Sequence, residues 1–445
     1  MNRRAFLELL AAQTGALAAG ACSISRTSSF QQRVYSNGRP TDVVVIGAGA
    51  FGGWTAYHLR RMGARVTLVD TYGPGNSRAT SGDETRGVRS SYGDRPHGVL
   101  WARWAREAAT RWKRWDDEWA PEMKTRLFYT TGDLILRKDW EPYLKETRAN
   151  WEKLGVPFQV LAPAEVAYRY PVIGMKDVGA VLYEPDAGVV RSRRACESVA
   201  EVFRQRGGRV VVARASMGTR RGDRLEHVVL HPARESISAA AFVFACGPWL
   251  GKTFPELLRN RLRTPLGYVY YFGTPQSDTR FTYPSLPSYN FPGITGWPAL
   301  VPDNRGFRVR AGGGPHSDPD TSQRWIDPRN FDRPRAFLIE RFPLLANAPL
   351  LETRACHYEL TVNRNFIIDR HPQLANVWIA GGGAAEGFKF GPVVGEYVAS
   401  RVLGRPEDPE LAKQFAIPKE EFEEPTEQPP PVQVPPKQEP RPWTP

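Results

Sequence analysis

The feature that most constrains this chain is a glycine-rich turn after an apolar segment, at residues 43–52, which read VVVIGAGAFG. In such a turn Gly47 permits a tight bend, Gly49 lets the backbone approach a pyrophosphate, and Gly52 lets a helix pack closely on the strand. A second apolar segment ends on Asp70, where a carboxylate can accept hydrogen bonds from a ribose diol. The following helix would offer free N–H groups and a partial positive charge to phosphates. The sequence therefore predicts a dinucleotide-binding site.

Length and composition favour a globular enzyme of two domains. The chain has 445 residues, of which 41% are hydrophobic, enough to build two cores. Its formal charge is +13, from 60 lysines and arginines against 47 acidic residues. Because no long basic run interleaved with aromatic residues occurs, we expect these arginines to hold an anionic cofactor and substrate, and we expect no nucleic-acid partner.

The cysteines and histidines give no metal-binding pattern. The four cysteines, Cys22, Cys196, Cys246 and Cys356, show no Cys-x-x-Cys spacing, and the seven histidines show no His-x-x-x-His spacing. We therefore expect neither a metal site nor a disulfide framework.

The two ends of the chain differ in composition from the part between them. Residues 1–35 start with a twin-arginine pair, Arg3-Arg4, followed by an apolar stretch too short and interrupted for a membrane span. We interpret them as an export leader that ends in a cleavage site or in a lipid-anchored Cys22, so that the protein would be periplasmic or membrane-anchored on the periplasmic side. The alternative is a cytoplasmic enzyme with an accidental Arg-Arg start. Residues 405–445 are predicted to form a proline-rich, disordered tail.

Three predicted strands end in glycine at widely separated positions, near Gly47, Gly247 and Gly381. Doubly wound folds gather such strand ends at one sheet edge, where ligands bind. We therefore predict an α/β fold (two-domain α+β) in which a Rossmann-like nucleotide-binding domain is interleaved with an antiparallel-sheet substrate domain. The nucleotide-binding segments are expected at about 42–98, 186–262 and 352–404, and the substrate-domain segments at about 99–185 and 263–351.

Three further stretches carry residues suited to an anionic ligand. They are residues 77–93, SRATSGDETRGVRSSYG; residues 356–361, CHYELT; and residues 381–390, GGGAAEGFKF. Closely spaced arginines in a glycine loop suit an anion, because a guanidinium can bind a carboxylate through two hydrogen bonds. With the glycine-rich turn, these stretches resemble the D-amino-acid-oxidase superfamily of FAD enzymes, and within it the monomeric sarcosine oxidase and N-methyl-amino-acid oxidase branch. The resemblance covers most of residues 42–404.

The resemblance implies roles for individual residues around FAD. Thr85 and Arg86 would lie against the flavin. Arg89 would reach a substrate carboxylate, and Lys389 would bind the same carboxylate together with Arg89. Cys356 stands where this branch attaches FAD covalently through sulfur, a role that suits a nucleophilic thiol beside a cation. The residues expected to contact the cofactor, with Val210 at its adenine end, are Gly47, Gly49, Ala50, Phe51, Gly52, Asp70, Thr80, Thr85, Arg86, Val210, Cys246, Gly247, Cys356, Gly387, Phe388 and Lys389.

Several positions depart from the pattern of the branch. Arg308 stands where the branch has an oxygen-activating lysine. Thr295 and Gly312 stand near the places of a substrate-facing tyrosine and histidine, and Glu386 replaces a histidine in the flavin turn. These differences argue against sarcosine itself as the substrate and leave rapid reaction with O2 open.

We therefore expect a monomeric FAD-dependent oxidoreductase that oxidises the C–N bond of a secondary or primary amino acid or amine to an imine. Hydride would pass to the flavin, and O2 or another acceptor would reoxidise it. Arg89, Lys389 and Arg308 are the expected catalytic residues, since cations there stabilise developing negative charge. Three alternatives stay open: a flavin dehydrogenase that serves a quinone or carrier protein, a non-catalytic flavoprotein or anion-binding module, and an enzyme that uses NAD.

Overall fold

The computed structural model describes residues 41–301, 303, 305–406 and 408–423. The predicted leader at 1–35, with Cys22, and the end of the predicted tail lie outside these residues, so export and a lipid anchor stay predictions. Within the described ranges, no helix combines the length and the apolar character that crossing a bilayer requires.

Helices and strands alternate in the first part of the chain, and strands dominate its middle. The strands are β1 Thr41–Ile46, β2 Val66–Asp70, β3 Arg86–Val88, β4 Phe128–Tyr129, β5 Asp133–Arg137, β6 Gln159–Leu161, β7 Ala180–Glu184, β8 Gly188–Val190, β9 Arg209–Val212, β10 Arg214–Met217, β11 Arg220–Arg221, β12 Arg224–Leu225, β13 His227–His231, β14 Glu235–Phe244, β15 Leu262–Arg263, β16 Leu266–Phe272, β17 Ser288–Phe291, β18 Ile294–Trp297, β19 Phe307–Gly314, β20 Leu350–His357, β21 Leu360–Thr361, β22 Ile367–Arg370 and β23 Val377–Gly381. The α-helices are α1 Ala50–Arg61, α2 Gly98–Met123, α3 Pro142–Leu154, α4 Pro163–Arg169, α5 Ser192–Gln205, α6 Leu250–Thr253, α7 Pro255–Leu258, α8 Asp332–Arg341, α9 Gly391–Val402 and α10 Pro409–Gln414. Short 3-10 helices lie at Thr80–Gly82, Gly247–Trp249, Thr279–Phe281, Pro328–Phe331, Pro343–Leu345 and Gly387–Phe390.

The first sheet has the strand order β10-β13-β14-β1-β2-β9, with β23 beside β14 and β22 beside β23. Strands β1, β2 and β9 run parallel, with Val43 opposite Val66 and Thr67 opposite Arg209. The valines of β1 are buried, as expected for a parallel strand covered on both faces. The predicted Rossmann-like domain is confirmed.

The three predicted strand ends meet at one edge of this sheet. Gly47 follows β1, Gly247 follows β14, and Gly381 ends β23. The amide of Ala245 donates to the carbonyl oxygen of Ile46 at 2.7 Å, and β14 pairs in parallel with β23. Segments about 200 residues apart in sequence therefore form one ligand-binding edge.

The second sheet has the order β20-β16-β19-β18-β17-β5-β7-β6 and joins two separate parts of the chain. Its pairings are antiparallel except between β17 and β5, where Ser288 lies opposite Asp133. Aromatic residues fill the core beneath it, including Tyr289 stacked on Phe307 at 5.4 Å. This sheet matches the antiparallel substrate domain that the sequence predicts.

Helix α2 packs on the nucleotide-binding domain and also on helix α3 of the substrate domain, to which its place in the sequence assigned it. The rings of Trp112 and Trp115 lie 5.2 and 4.9 Å from the ring of Trp54 in α1. The physical reason is the tryptophan-rich face of α2, which finds its large apolar partner in α1.

The predicted disordered tail begins too early at residue 405. Helix α10 follows that position, and the side chain of Phe415 is fully buried. The amide of Ile368 donates to the carbonyl oxygen of Phe415 at 2.8 Å. Leu411 and Phe415 supply core contacts, whereas the dense proline composition starts only after residue 423.

We predict that Gly52→Ala destabilises the protein and Gly53→Ala does not. A Cβ at Gly52 would lie 1.9 Å from the carbonyl oxygen of Gly47, whereas a Cβ at Gly53 would meet nothing closer than 3.8 Å. Overpacking should lower the free energy of unfolding by about 3 kcal/mol in the first variant. Gly53→Ala should raise the free energy of unfolding by up to about 1 kcal/mol, because alanine has a higher helix propensity than glycine. Urea unfolding measures both, and a Gly52→Ala protein as stable as wild type would contradict the close packing.

Candidate active site

A cleft of about 720 Å³ lies at the sheet edge where β1, β2 and β14 end. Gly47 and Gly49 line it. Gly47 has φ +106°, and a Cβ there would lie 2.2 Å from the carbonyl oxygen of Ala245. Helix α1 begins at this turn with no acidic residue in its first turn, so its N-terminal positive charge is not neutralised locally. The cleft therefore suits an anionic group laid against backbone.

Asp70 stands at the end of β2 and lines the same cleft. Its carboxylate accepts hydrogen bonds from the amides of Ala48 at 2.8 Å and Tyr72 at 2.9 Å. Burial raises the pKa of Asp70, and these backbone donors oppose that effect. The backbone thus holds the carboxylate beside the turn, where a ribose diol is expected.

A second cavity of about 390 Å³ adjoins the cleft. Both spaces are lined by Thr80, Arg86, Tyr358, Ala385 and Phe388, so the two lie side by side.

Lys389 and Arg89 face this second cavity together. The Nζ atom of Lys389 donates to the hydroxyl oxygen of Tyr92 at 2.7 Å. Burial lowers the pKa of Lys389 to about 8, against the opposing effect of Glu386. Among the described residues, no carboxylate lies within 4 Å of the Arg89 guanidinium. The pair therefore offers positive charge to a small anion.

Arg308 enters the cavity from β19 and is held by a buried carboxylate, Asp83. This carboxylate accepts hydrogen bonds from Arg86 and from the hydroxyl of Tyr271, and it lies 3.5 Å from Nη2 of Arg308. Burial would raise the pKa of Asp83, but Arg86 and Arg308 lower it to about 2. The Arg308 guanidinium also lies 3.9 Å from the ring centre of Trp297. Arg308 is therefore fixed in place as a cation.

Cys356 lies near the end of β20 and lines the second cavity. Burial raises the pKa of its thiol, and Asp83 adds to this effect. Arg86 and Arg354 lower it, but they do not outweigh the burial. The cation that we expected beside this thiol is therefore present, although the thiol is not acidified overall.

The structure brings most of the predicted site residues together. Those that line the cleft, the second cavity or both are Gly47, Gly49, Ala50, Phe51, Asp70, Thr80, Arg86, Arg89, Cys246, Gly247, Arg308, Cys356, Gly387, Phe388 and Lys389.

Three predicted cofactor contacts do not line either space. Gly52 packs α1 against the turn. The hydroxyl oxygen of Thr85 accepts a hydrogen bond from the indole of Trp297 at 3.0 Å. Val210, expected at the adenine end of the cofactor, pairs with Leu68 within the sheet. Residues 214–217 of β10 line the cleft instead.

Sequence reasoning missed several residues that shape the site, of which Asp133 is the least expected. It is 1% exposed, and neither carboxylate oxygen has a hydrogen-bond partner among the described residues. Burial raises its pKa to about 6, and the charge of Arg89 opposes this shift. The sequence carries no local signal for it, because β5 becomes buried only through its pairing with β7 and β17.

We predict that Asp133→Asn stabilises the protein more at pH 7 than at pH 4. When folding raises the pKa of a carboxyl group, the folded protein becomes less stable as pH rises from the pKa in the unfolded chain, near 4, towards the pKa in the folded protein, about 6. Removing it should add about 3 kcal/mol to the free energy of unfolding at pH 7.

Asp42→Asn is the matched control with the opposite sign. The hydrogen bond from Arg65 lowers the pKa of Asp42, so its stabilising contribution is present at neutral pH and disappears as pH falls. Denaturant unfolding at several pH values measures both variants. A stability difference for Asp133→Asn that does not change with pH would contradict the buried titration.

Known proteins of similar sequence and structure give the wider setting. The chain is 28% identical to "Monomeric sarcosine oxidase" of Bacillus sp. (strain B-0618), covering 81% of this chain and 92% of that protein. It is 28% identical to "Peroxisomal sarcosine oxidase" of Homo sapiens, covering 80% and 90%. Its fold matches the crystal structure of L-proline dehydrogenase from P. horikoshii with a TM-score of 0.72 and 20% identity, over 83% of this chain and 95% of that one. The predicted fold, FAD cofactor and enzyme class are confirmed. Since the family model described as FAD dependent oxidoreductase matches residues 42–401, the chain belongs to this family, DAO.

Proposed function

We propose that this enzyme binds an amine or amino acid that carries a carboxylate and oxidises its C–N bond, with O2 or another acceptor taking the electrons. The observation that carries the proposal is the pair Arg89 and Lys389. Both line the cavity that adjoins the dinucleotide cleft. Within the described part of the chain, neither has a carboxylate within ion-pair distance.

The residues present fit FAD. Gly47 and Gly49 line the cleft with backbone at the start of α1, where a diphosphate can approach, and Asp70 is placed for a ribose. Because Phe388 lines both the cleft and the second cavity, the ring system of a dinucleotide in the cleft would lie near Phe388 and Lys389. When bound, FAD supplies a two-electron acceptor for the hydride of the substrate C–H bond.

The cations of the second cavity orient the substrate and set its protonation state. Arg89 can hold a carboxylate through two hydrogen bonds, with Lys389 as a second donor. Because positive charge surrounds the site, the substrate amine is favoured in its neutral form. Its lone pair forms the C=N bond as hydride leaves the α-carbon, which gives a protonated imine that water then hydrolyses. Positioning thus supplies much of the catalysis.

Arg308 contributes charge and not proton transfer. Asp83 and Trp297 hold its guanidinium at the cavity wall. There it stabilises negative charge that develops during the reaction.

We predict that Lys389→Met lowers kcat/KM for an amino-acid substrate by about 100-fold, because a buried charge pair is lost. The substrate is the amino acid that most rapidly bleaches the flavin in an anaerobic screen of N-methyl and primary amino acids. The uncharged amide of the same amino acid should be affected less than tenfold. Lys413→Met is the matched control, since Lys413 is exposed on α10. Equal losses for the acid and its amide would contradict the proposed role.

We further propose that Cys356 forms a thioether with a methyl group of the flavin. Forming this C–S bond would break the thiol S–H bond and one methyl C–H bond, and O2 would take the two electrons that are released. Support comes from its place in the second cavity and from Arg86 and Arg354 nearby. Wild-type protein should keep its yellow colour on acid precipitation, and Cys356→Ala should release it.

Cys246→Ala is the matched control for this link. Cys246 lines the dinucleotide cleft, and its replacement should leave the colour on the protein. Mass spectrometry of the peptide that contains Cys356 checks the link independently of activity. Release of all flavin from wild type would show that the link does not form.

A further inference from the structure

The second cavity carries more positive charge than one substrate carboxylate requires. Its cationic lining residues are Arg86, Arg89, Arg308, Arg310, Arg364 and Lys389, and Glu386 is the one carboxylate among the described lining residues.

Three of these cations already have acidic partners. Asp83 serves both Arg86 and Arg308. Arg364 lies 3.5 Å from a carboxylate oxygen of Asp94 and 3.9 Å from Glu386. Glu386 itself is also engaged, because Arg95 lies 3.2 Å from it. Arg89, Arg310 and Lys389 are left, and the first proposal uses only Arg89 and Lys389.

Arg310 is built into the wall of the cavity. It stands two residues after Arg308 in β19, so both side chains lie on the same face of the sheet. Its cross-strand neighbours Val269 and Thr295 line the cavity as well.

The Arg310 guanidinium is close to glycine backbone and without a counter-ion. A Cβ at Gly267 would lie 3.7 Å from its Nη2 atom, which is van der Waals distance, so the guanidinium lies beside this glycine. No acidic group comes within ion-pair distance of Arg310 in the described ranges. Burial lowers its pKa, and Arg308 and Arg89 lower it further. A largely buried cation in this setting is costly unless an anion joins it.

We propose that the substrate is an amino dicarboxylate, with one carboxylate held by Arg89 and Lys389 and the second held by Arg310. This inference rests on the proposed function and adds the substrate class. A second carboxylate would compensate the charge on Arg310, and a guanidinium can hold it in bidentate fashion. N-methyl derivatives of acidic amino acids and N-carboxymethyl derivatives of neutral amino acids have this chemistry.

Two non-oxidisable probes test the inference on the FAD-loaded protein. (Methylthio)acetate has one carboxylate, thiodiacetate has two, and sulfur replaces the amine nitrogen in both. Calorimetry at pH 8 should show thiodiacetate binding to wild type about 10 to 100 times more tightly, the value of a charge-assisted pair. Arg310→Gln should remove most of that preference, and Arg310→Lys should restore part of it. Arg103→Gln, which removes an exposed arginine of α2, should keep the preference.

The possible failures separate the two proposals. Equal affinity of wild type for both probes, with each weakened by Lys389→Met, would overturn the dicarboxylate inference and leave the proposed function standing. A loss of the same factor for both probes in Arg310→Gln would also overturn the inference, because Arg310 would then support the cavity generally. The flavin absorption spectrum checks that each variant still holds its cofactor. Failure of both probes to bind wild type would overturn both proposals.

Discussion

The close contact between the Gly47 turn, the start of α1 and the end of β14 is the constraint on which the rest of the structure depends. A Cβ at Gly52 would lie 1.9 Å from the Gly47 carbonyl oxygen, and a Cβ at Gly47 would lie 2.2 Å from that of Ala245. The bond from the Ala245 amide to the carbonyl oxygen of Ile46 closes the same junction at 2.7 Å. Backbone packed this tightly brings three distant segments to one edge and leaves the cleft open beside them.

Buried charge organises the neighbouring cavity. Asp83 is fully buried and holds Arg86 and Arg308, so that these guanidinium groups can face the interior. Removing one partner from such a cluster typically costs 3–5 kcal/mol, because the remaining charge stays buried without compensation. The excess of positive charge in the cavity favours anionic ligands and neutral amines. Burial lowers the pKa of Lys389 to about 8, and the charges of Arg89 and Arg95 contribute to this shift.

The core of the nucleotide-binding domain supports Lys389 directly. The indole nitrogen of Trp112 in α2 donates to the carbonyl oxygen of Lys389 at 2.9 Å, and the Trp112 ring stacks on Phe388 at 5.9 Å. Helix α2 in turn packs on Trp54 of α1. One apolar cluster therefore joins the helix behind the dinucleotide turn to the short 3-10 helix that carries Lys389. The cation that orients the substrate is positioned by packing as well as by its hydrogen bond to Tyr92.

The sequence by itself determined the features that depend on local chemistry. Glycine spacing predicted the turn at Gly47, and the spacing of Arg86 and Arg89 in a glycine loop predicted an anion site. Long-range pairing decided which side chains are buried and which charges are compensated, because both depend on neighbours from distant parts of the chain. Only the tertiary structure brought Asp133 near enough to Arg89 for their charges to interact, left Arg310 without a counter-ion, and brought Phe415 into the core. The sequence alone does not distinguish these charged residues from others of their type. What packs against each one made Asp133 a buried acid, Arg308 a cation with a partner, and Arg310 a cation available to a ligand.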